Sequence, residues 1–259
     1  MPRTLAQCLC EPRPPTPAAE SDSVYDALVP LPRRAYIIHV PGDSKREKNV
    51  MRLTRSLQTA GVPDVVVFPG IRPPDRGPLY SSGEWGCYQS HVACLRRIAD
   101  DSDPNGALVL EDDAVLTQVP ARLAEVFTSE ADWDFLHAGY LSNTVFRDWD
   151  EDLMCQNLVR ARGVLFGLQC YAARPAGLAD RCELLEQLPF VPAAEGGGVG
   201  VDGALCELAW RDPSLVRMAP PRSLFRTIPG VASGLRDSSR AARGREIVRS
   251  WLSPLARLR

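Results

Sequence analysis

The stretch Ala107–Leu116, ALVLEDDAVL, decides how this chain is read. Four apolar residues run straight into Glu111, Asp112 and Asp113, and the chain returns at once to Ala-Val-Leu. A short apolar run of this kind fits a strand buried on both faces. Three adjacent carboxylates repel one another, and at the end of such a strand they also lose hydration. A divalent cation would compensate both costs. Carboxylates on one turn hold Mg²⁺ or Mn²⁺ and leave coordination positions for water and phosphate oxygens. The plainer alternative is a solvated acidic turn.

The pattern outward from this stretch is that of an α/β domain. Ala35 to Val40 reads as a strand. Helical spacing follows through Val50, Leu53 and Leu57, with Gly61 as a stop. Asp64 to Phe68 is a second strand, so the order is strand–helix–strand, the start of a parallel sheet. Ser81 or Ser82 caps a helix from about Glu84 to Ala99. Ala107 to Leu110 then delivers the acidic triplet at its carboxyl end, where open α/β sheets bind ligands. Further on, the pattern gives a helix over Ala121 to Phe127 and a strand over Trp133 to Tyr140. A strand region over Gly163 to Arg174 leads to a helix with Pro175 near its first turn. The last element is a Gly-rich loop and helix in EGGGVGVDGALCELAW.

Composition narrows the classes. A formal net charge of −2 gives no global case for nucleic-acid binding. Residues 1–32 are rich in Pro, Ala, Ser and acids and read as a disordered tail. They lack the apolar run of a secretory signal, so the expected location is cytoplasmic. The eight cysteines form no C-x-x-C pair, and their spacings suggest reduced thiols and no zinc site. Cys87 and Cys94 lie seven apart on one helical face and read as core. The tail end, residues 236–259, carries seven arginines with Ile247, Val248, Trp251, Leu252 and Leu255 at helical spacing. It reads as a basic amphipathic segment that either packs on the domain or makes peripheral contact with the cytoplasmic membrane face.

The segment upstream of the triplet sharpens the functional reading. GEWGCYQSHVACLRRI (Gly83–Ile98) followed by LVLEDDAVL resembles glycosyltransferase family 25, the lipooligosaccharide and procollagen galactosyltransferase family. Gly83, Glu84, Gly86, Cys87, Ser90 and His91 fill the family's pattern, and Leu110 to Asp113 completes it. Weaker similarity continues through AYIIHV, WDFLHAGY, CYAARPAGLADRCELL and VDGAL. The chain departs from the pattern at His39-Val40-Pro41-Gly42-Asp43, where the family has Asn-Leu-Asp-Arg, and around Gln169-Cys170, where it has a histidine.

The resemblance implies a GT-A-like Rossmann-type domain with a mostly parallel central sheet, spanning residues 33–235. It further implies a UDP-sugar donor, Mn²⁺ (or Mg²⁺), and inversion at the anomeric carbon. By that analogy Asp113 is the direct metal ligand. Glu111 ligates the metal or reaches the ribose or a metal-bound water, and Asp112 serves either task. Ser90 and His91 stand beside the acidic turn as donor-contacting residues, with a core role for His91 as the alternative. An inverting transfer needs a base for the acceptor hydroxyl, and Asp202, directly after the glycine run, is the candidate. Its alternative is a helix N-cap. His39 and His137 receive no role.

The reading is therefore an inverting, metal-dependent transferase moving a hexose, galactose first, to a glycan or lipid-linked saccharide. Two others stand beside it. A degenerate, non-catalytic member would bind nucleotide-sugar or a protein partner. A metal-dependent phosphohydrolase would also use acidic strand ends, but the chain lacks an early nucleophilic Asp-x-Asp.

Overall fold

Strand β1 (Arg34–His39) shows why the chain begins its core here. Ala35 and Ile37 point into one hydrophobic cluster, while Tyr36 and Ile38 point into another on the opposite face. Strand β3 (Ala107–Glu111) repeats this, with Leu108 and Leu110 on the first side and Ala107 and Val109 on the second. Both strands are apolar throughout because helices cover both faces of the sheet. A computed structural model describes residues 31–127, 132–141, 158–161, 165–192 and 198–228. The N-terminal tail (residues 1–30), much of the Gly-rich loop and the arginine-rich segment at 236–259 lie outside these residues.

Helix α1 (Ser44–Thr59) follows β1 and is capped by Asp43, whose side chain accepts from the amides of Lys45 and Arg46. Its buried face carries Val50, Leu53 and Leu57 at the predicted spacing, and also Asn49. Strand β2 (Asp64–Pro69) pairs parallel to β1, and β1 pairs parallel to β3. Helix α2 (Ser82–Ala99) is capped by Ser81, which accepts from the Glu84 amide. The remaining elements are β4 (Ala114–Leu116), α3 (Pro120–Phe127), β5 (Phe135–Leu141), β6 (Val159–Arg160), β7 (Phe166–Ala173), α4 (Leu178–Gln187), α5 (Val201–Arg211), β8 (Arg217–Ala219) and β9 (Phe225–Thr227).

Among the described residues the central sheet has seven strands in the order β2-β1-β3-β7-β5-β8-β6. β7 runs antiparallel to both β3 and β5, and β6 runs antiparallel to β8. β5 and β8 pair parallel, so five of the seven strands point one way. The sheet is thus mostly parallel, with helices α1 and α3 on one face and α2, α4 and α5 on the other. This is the GT-A-like Rossmann-type arrangement.

The apolar residues after the acidic triplet have their explanation in β4. It leaves the main sheet and pairs antiparallel with β9, so Ala114 is fully buried opposite Thr227. The short strands β4, β6, β8 and β9 were not legible as separate strands. Two helix starts also differ from expectation. Pro175 precedes α4, whose first residue is Leu178 after Gly177 in a left-handed conformation (φ 65°). Gly200, not Asp202, is the N-cap of α5. One glycine holds β3 in place. At Gly106 (φ 70°) an added Cβ would lie 1.8 Å from the Ala173 carbonyl oxygen, so only glycine lets the turn before β3 reach the end of β7.

Candidate active site

The parallel run of β2, β1 and β3 brings Pro69, His39 and Glu111 to one edge of the sheet. A cleft of about 720 Å³ opens there. It is lined from β1–α1 by Val40, Asp43 and Arg46, from the following loop by Arg72, from α2 by Cys87 and His91, and from β3 by the acidic triplet. The amino ends of β7 and α5 reach the same edge, because Asp202 accepts from the Gly167 amide at 3.3 Å.

The three acids of the triplet do three different things. Asp112 is 2% exposed and its carboxylate is fully engaged. Oδ2 faces His39 Nδ1 at 2.8 Å and accepts from the Val40 amide at 3.2 Å, while Oδ1 pairs with Arg46. Its backbone carbonyl accepts from the Asn49 amide at 3.0 Å, and Asn49 also donates to the Ala114 carbonyl at 2.6 Å. Asp112 therefore fastens the acidic turn to β1 and α1. Both of its oxygens already have protein partners, whereas Asp113 keeps one oxygen without. Removing one partner of a buried ion pair leaves the other charge uncompensated, at a cost of about 3–5 kcal/mol. Asp112→Ala is expected to lose stability of that order by urea unfolding, a loss that Asp113→Asn will not show.

Asp113 is different. Its Oδ2 has Arg46 at 3.4 Å, and its Oδ1 is buried with no hydrogen-bond partner. Burial and the neighbouring charge of Glu111 push its carboxyl up to about 6. A native fold seldom leaves a buried oxygen in this state without a ligand to meet it. Glu111 turns one carboxylate oxygen toward α2. Its Oε1 faces His91 Nε2 at 3.4 Å and the Cys87 thiol at 3.8 Å. Burial raises the Glu111 carboxyl, but the His91 hydrogen bond and charge, with help from Arg46 and Cys87, outweigh it and hold it low. The donor set of Asp113 and Glu111 fits a hard divalent cation: oxygen ligands, one of them unpartnered, facing an open cleft.

His91 is wholly buried, with Nδ1 facing the Tyr171 hydroxyl at 3.1 Å and its ring stacked on that tyrosine. It is both a packed residue and a cleft residue. Ser90 lines the cleft, but its hydroxyl accepts from the Ile71 amide at 2.8 Å and donates to the Gly86 carbonyl at 2.6 Å. These two bonds tie the loop after β2 to α2. Gly86 belongs to the same device, since an added Cβ there would lie 2.3 Å from the Ile71 carbonyl oxygen. This close approach sets Arg72 on the cleft wall.

Asp202 stands in the first turn of α5 and accepts from the Gly203 amide at 2.9 Å as well as from Gly167. Burial, with a contribution from Glu111, raises its pKa. It is absent from the cleft wall formed by Arg46, Arg72 and the triplet. Its charge is felt at Cys87, so it lies near that thiol. An added Cβ at Gly200 would sit 3.2 Å from Asp202 Oδ1 and 3.4 Å from Glu84 Oε1, so both acids stand close to this glycine.

Several site residues were missed in the sequence. Arg46 and Asn49 sit in a helix whose apolar spacing drew attention away from them. Arg72 lies in a loop without a motif. Cys87, read as core beside Cys94, is only half-buried and borders the cleft, whereas Cys94 is fully buried. The signal for Cys87 was available as Cys-x-x-x-His on a helix, which puts two ligating side chains on one face. His137, which received no role, packs against Phe135 and Tyr171 and is held neutral by burial, its pKa pushed down to about 3.

The fold and this acid-lined cleft at the carboxyl ends of parallel strands define a GT-A-like domain. Residues 71–166 match the family model described as glycosyltransferase family 25 (LPS biosynthesis protein). The match covers α2 and the acidic turn, the two blocks that carried the resemblance, and it supports a glycosyltransferase. No curated protein matches the chain.

Proposed function

We infer that the chain is an inverting, metal-dependent glycosyltransferase that moves a hexose, with galactose the first choice, from a UDP-sugar to a glycan or lipid-linked saccharide. The observation that carries this reading is the buried, unpartnered oxygen of Asp113, which with Glu111 lines a cleft that also holds Arg46 and Arg72. Acids and guanidinium groups lining one cleft suit a cation and a diphosphate bound together.

Asp113 and Glu111 would hold Mn²⁺ or Mg²⁺, which supplies Lewis-acid neutralisation of the departing diphosphate. The chain's own groups do the rest. Arg46 is already fixed by Asp112, so its charge is preorganised at the cleft wall. Arg72 is held by the Pro41 carbonyl and adds a second positive group. Asp202 takes the proton of the acceptor hydroxyl as that oxygen bonds to the anomeric carbon. The bond from that carbon to the phosphate oxygen breaks on the opposite face, and UDP leaves. A raised pKa suits the base role, since an ordinary aspartate is too weak a base near neutral pH. Asp202 is not among the residues that line the cleft with Arg46, Arg72 and the triplet, which suits the acceptor side.

The reading carries a cytoplasmic location, with residues 236–259 as a peripheral membrane contact; that segment lies outside the described residues. Among the described residues no helix is long and apolar enough to cross a membrane. A second reading, a non-catalytic binder, draws on the departure at His39 to Asp43. Against it, His39 and Val40 grip Asp112 and Asp43 caps α1, so the altered segment still builds the cleft. Purified protein with a panel of UDP-sugars, with and without Mn²⁺, separates the two. The transferase releases UDP on addition of an acceptor or slowly to water, and the binder releases none with any donor.

A further inference from the structure

We propose that Cys87, His91 and Glu111 form a second cation site on the α2 side of the cleft, sharing Glu111 with the site at Asp113, and that it takes Zn²⁺ in preference to Mn²⁺ or Mg²⁺. One ligating atom from each of the three lies within 4.8 Å of the others. Cys87 and His91 are one helical turn apart on α2, and Glu111 reaches them from the end of β3.

Two features point to a shared central atom rather than to mutual hydrogen bonding. The first is spacing. Zn–N and Zn–O bonds of about 2.0 Å and a Zn–S bond of about 2.3 Å put tetrahedral ligands about 3.3 Å (N to O) and about 3.5 Å (S to O) apart. Here His91 Nε2 and Glu111 Oε1 are 3.4 Å apart, and Cys87 Sγ and Glu111 Oε1 are 3.8 Å apart. A direct histidine–carboxylate bond would be shorter, at about 2.7–2.9 Å. The second is the support of the histidine. Tyr171 faces His91 Nδ1 at 3.1 Å and stacks on the ring with centroids 5.7 Å apart. With Nδ1–H donating to the tyrosine oxygen, the Nε2 lone pair is free for a metal and its direction is fixed. Zinc-ligating histidines are commonly held in this way.

The donor set decides the metal. Thiolate and imidazole favour Zn²⁺, whereas Mn²⁺ and Mg²⁺ favour oxygen, which Asp113 offers nearby. All three residues line the cleft, so a fourth position faces the cleft and is open to water or a ligand oxygen. The site does not rest on the transferase reading, and its test uses no donor.

The test is metal binding to the full chain carrying Cys8→Ser and Cys10→Ser, which removes the tail thiols. Zn²⁺ titration is expected to show a single tight site, with Mn²⁺ at least tenfold weaker there. The Co²⁺-loaded protein is expected to show near-ultraviolet thiolate-to-cobalt absorption that Zn²⁺ abolishes. Cys87→Ser should remove that absorption with the fold retained by circular dichroism. Tyr171→Phe keeps all three ligands and should weaken Zn²⁺ by about 10–100-fold, the usual effect of losing a ligand's supporting partner. Absence of a tight Zn²⁺ site, thiolate absorption that survives in Cys87→Ser, or unchanged affinity in Tyr171→Phe would each overturn the proposal.

Discussion

Asp113→Asn is expected to abolish the Mn²⁺ stimulation of UDP-sugar binding and to cut transfer by at least about 100-fold. A cation at a departing diphosphate contributes several kcal/mol of transition-state stabilisation, and each 1.36 kcal/mol is a factor of ten. The amide keeps the shape of the side chain but gives up the charge that holds the cation. The same substitution should stabilise the metal-free fold at neutral and alkaline pH. The folded carboxyl is raised to about 6 from an unfolded 3.8, so the folded state binds the proton more tightly than the unfolded chain. That difference favours folding fully below the unfolded value and is lost as pH rises through about 6. Above it the buried charge is a net cost. A shift of this size corresponds to roughly 1–3 kcal/mol at 1.36 kcal/mol per unit. Thermal melts without metal should therefore place Asp113→Asn above the parent at pH 8, with the gap closing near pH 4. A variant that binds Mn²⁺ and donor as the parent does would remove Asp113 from the metal site.

The second large effect is expected at Asp202. Asp202→Asn should lower transfer by roughly 10²–10⁴-fold, the range for losing a general base. Donor affinity should change little, since Asp202 lies outside the cleft wall lined by Arg46, Arg72 and the triplet. The amide can still accept from Gly167 and Gly203, so the start of α5 should hold. In the parent, the raised carboxyl also predicts that transfer falls as pH drops through a value above the ordinary aspartate range. That acid limb should be missing from the residual activity of the variant. Donor binding lost along with transfer would instead assign Asp202 to the nucleotide side.

The fold was legible where burial imposed a period on the sequence. β1 and β3 read as buried strands because both faces are covered, and α1 and α2 announced themselves through apolar spacing and the caps Asp43 and Ser81. The strands that escaped are two or three residues long and carry no period: β4, β6, β8 and β9. They exist because of partners far along the chain, as β4 does through β9. The antiparallel placement of β7 between β3 and β5 is also tertiary, since its sequence would suit either direction.

The site divides along the same line. That the triplet would stand at a strand end was readable from ten residues. Which acid does what was not, because the answer lies in Arg46, Asn49 and His39, at least 63 residues away in sequence. Those groups bind Asp112 and leave Asp113 with an open oxygen. The bonds of the Ser90 hydroxyl to the Ile71 amide and the Gly86 carbonyl are likewise tertiary and carry no signal in the sequence. Cys87 was taken for core because its helical partner Cys94 is core, although half a turn of helix surface faces the cleft.

The central claim is that Asp113 and Glu111 hold a cation that in turn holds a nucleotide-sugar diphosphate against Arg46 and Arg72. Calorimetric titration of UDP into the purified chain, with Mn²⁺ and with chelator, measures it most directly. Binding that requires Mn²⁺ in the parent and disappears in Asp113→Asn is the predicted result. UDP binding that is equally strong in chelator, or that survives unchanged in Asp113→Asn, would contradict the account.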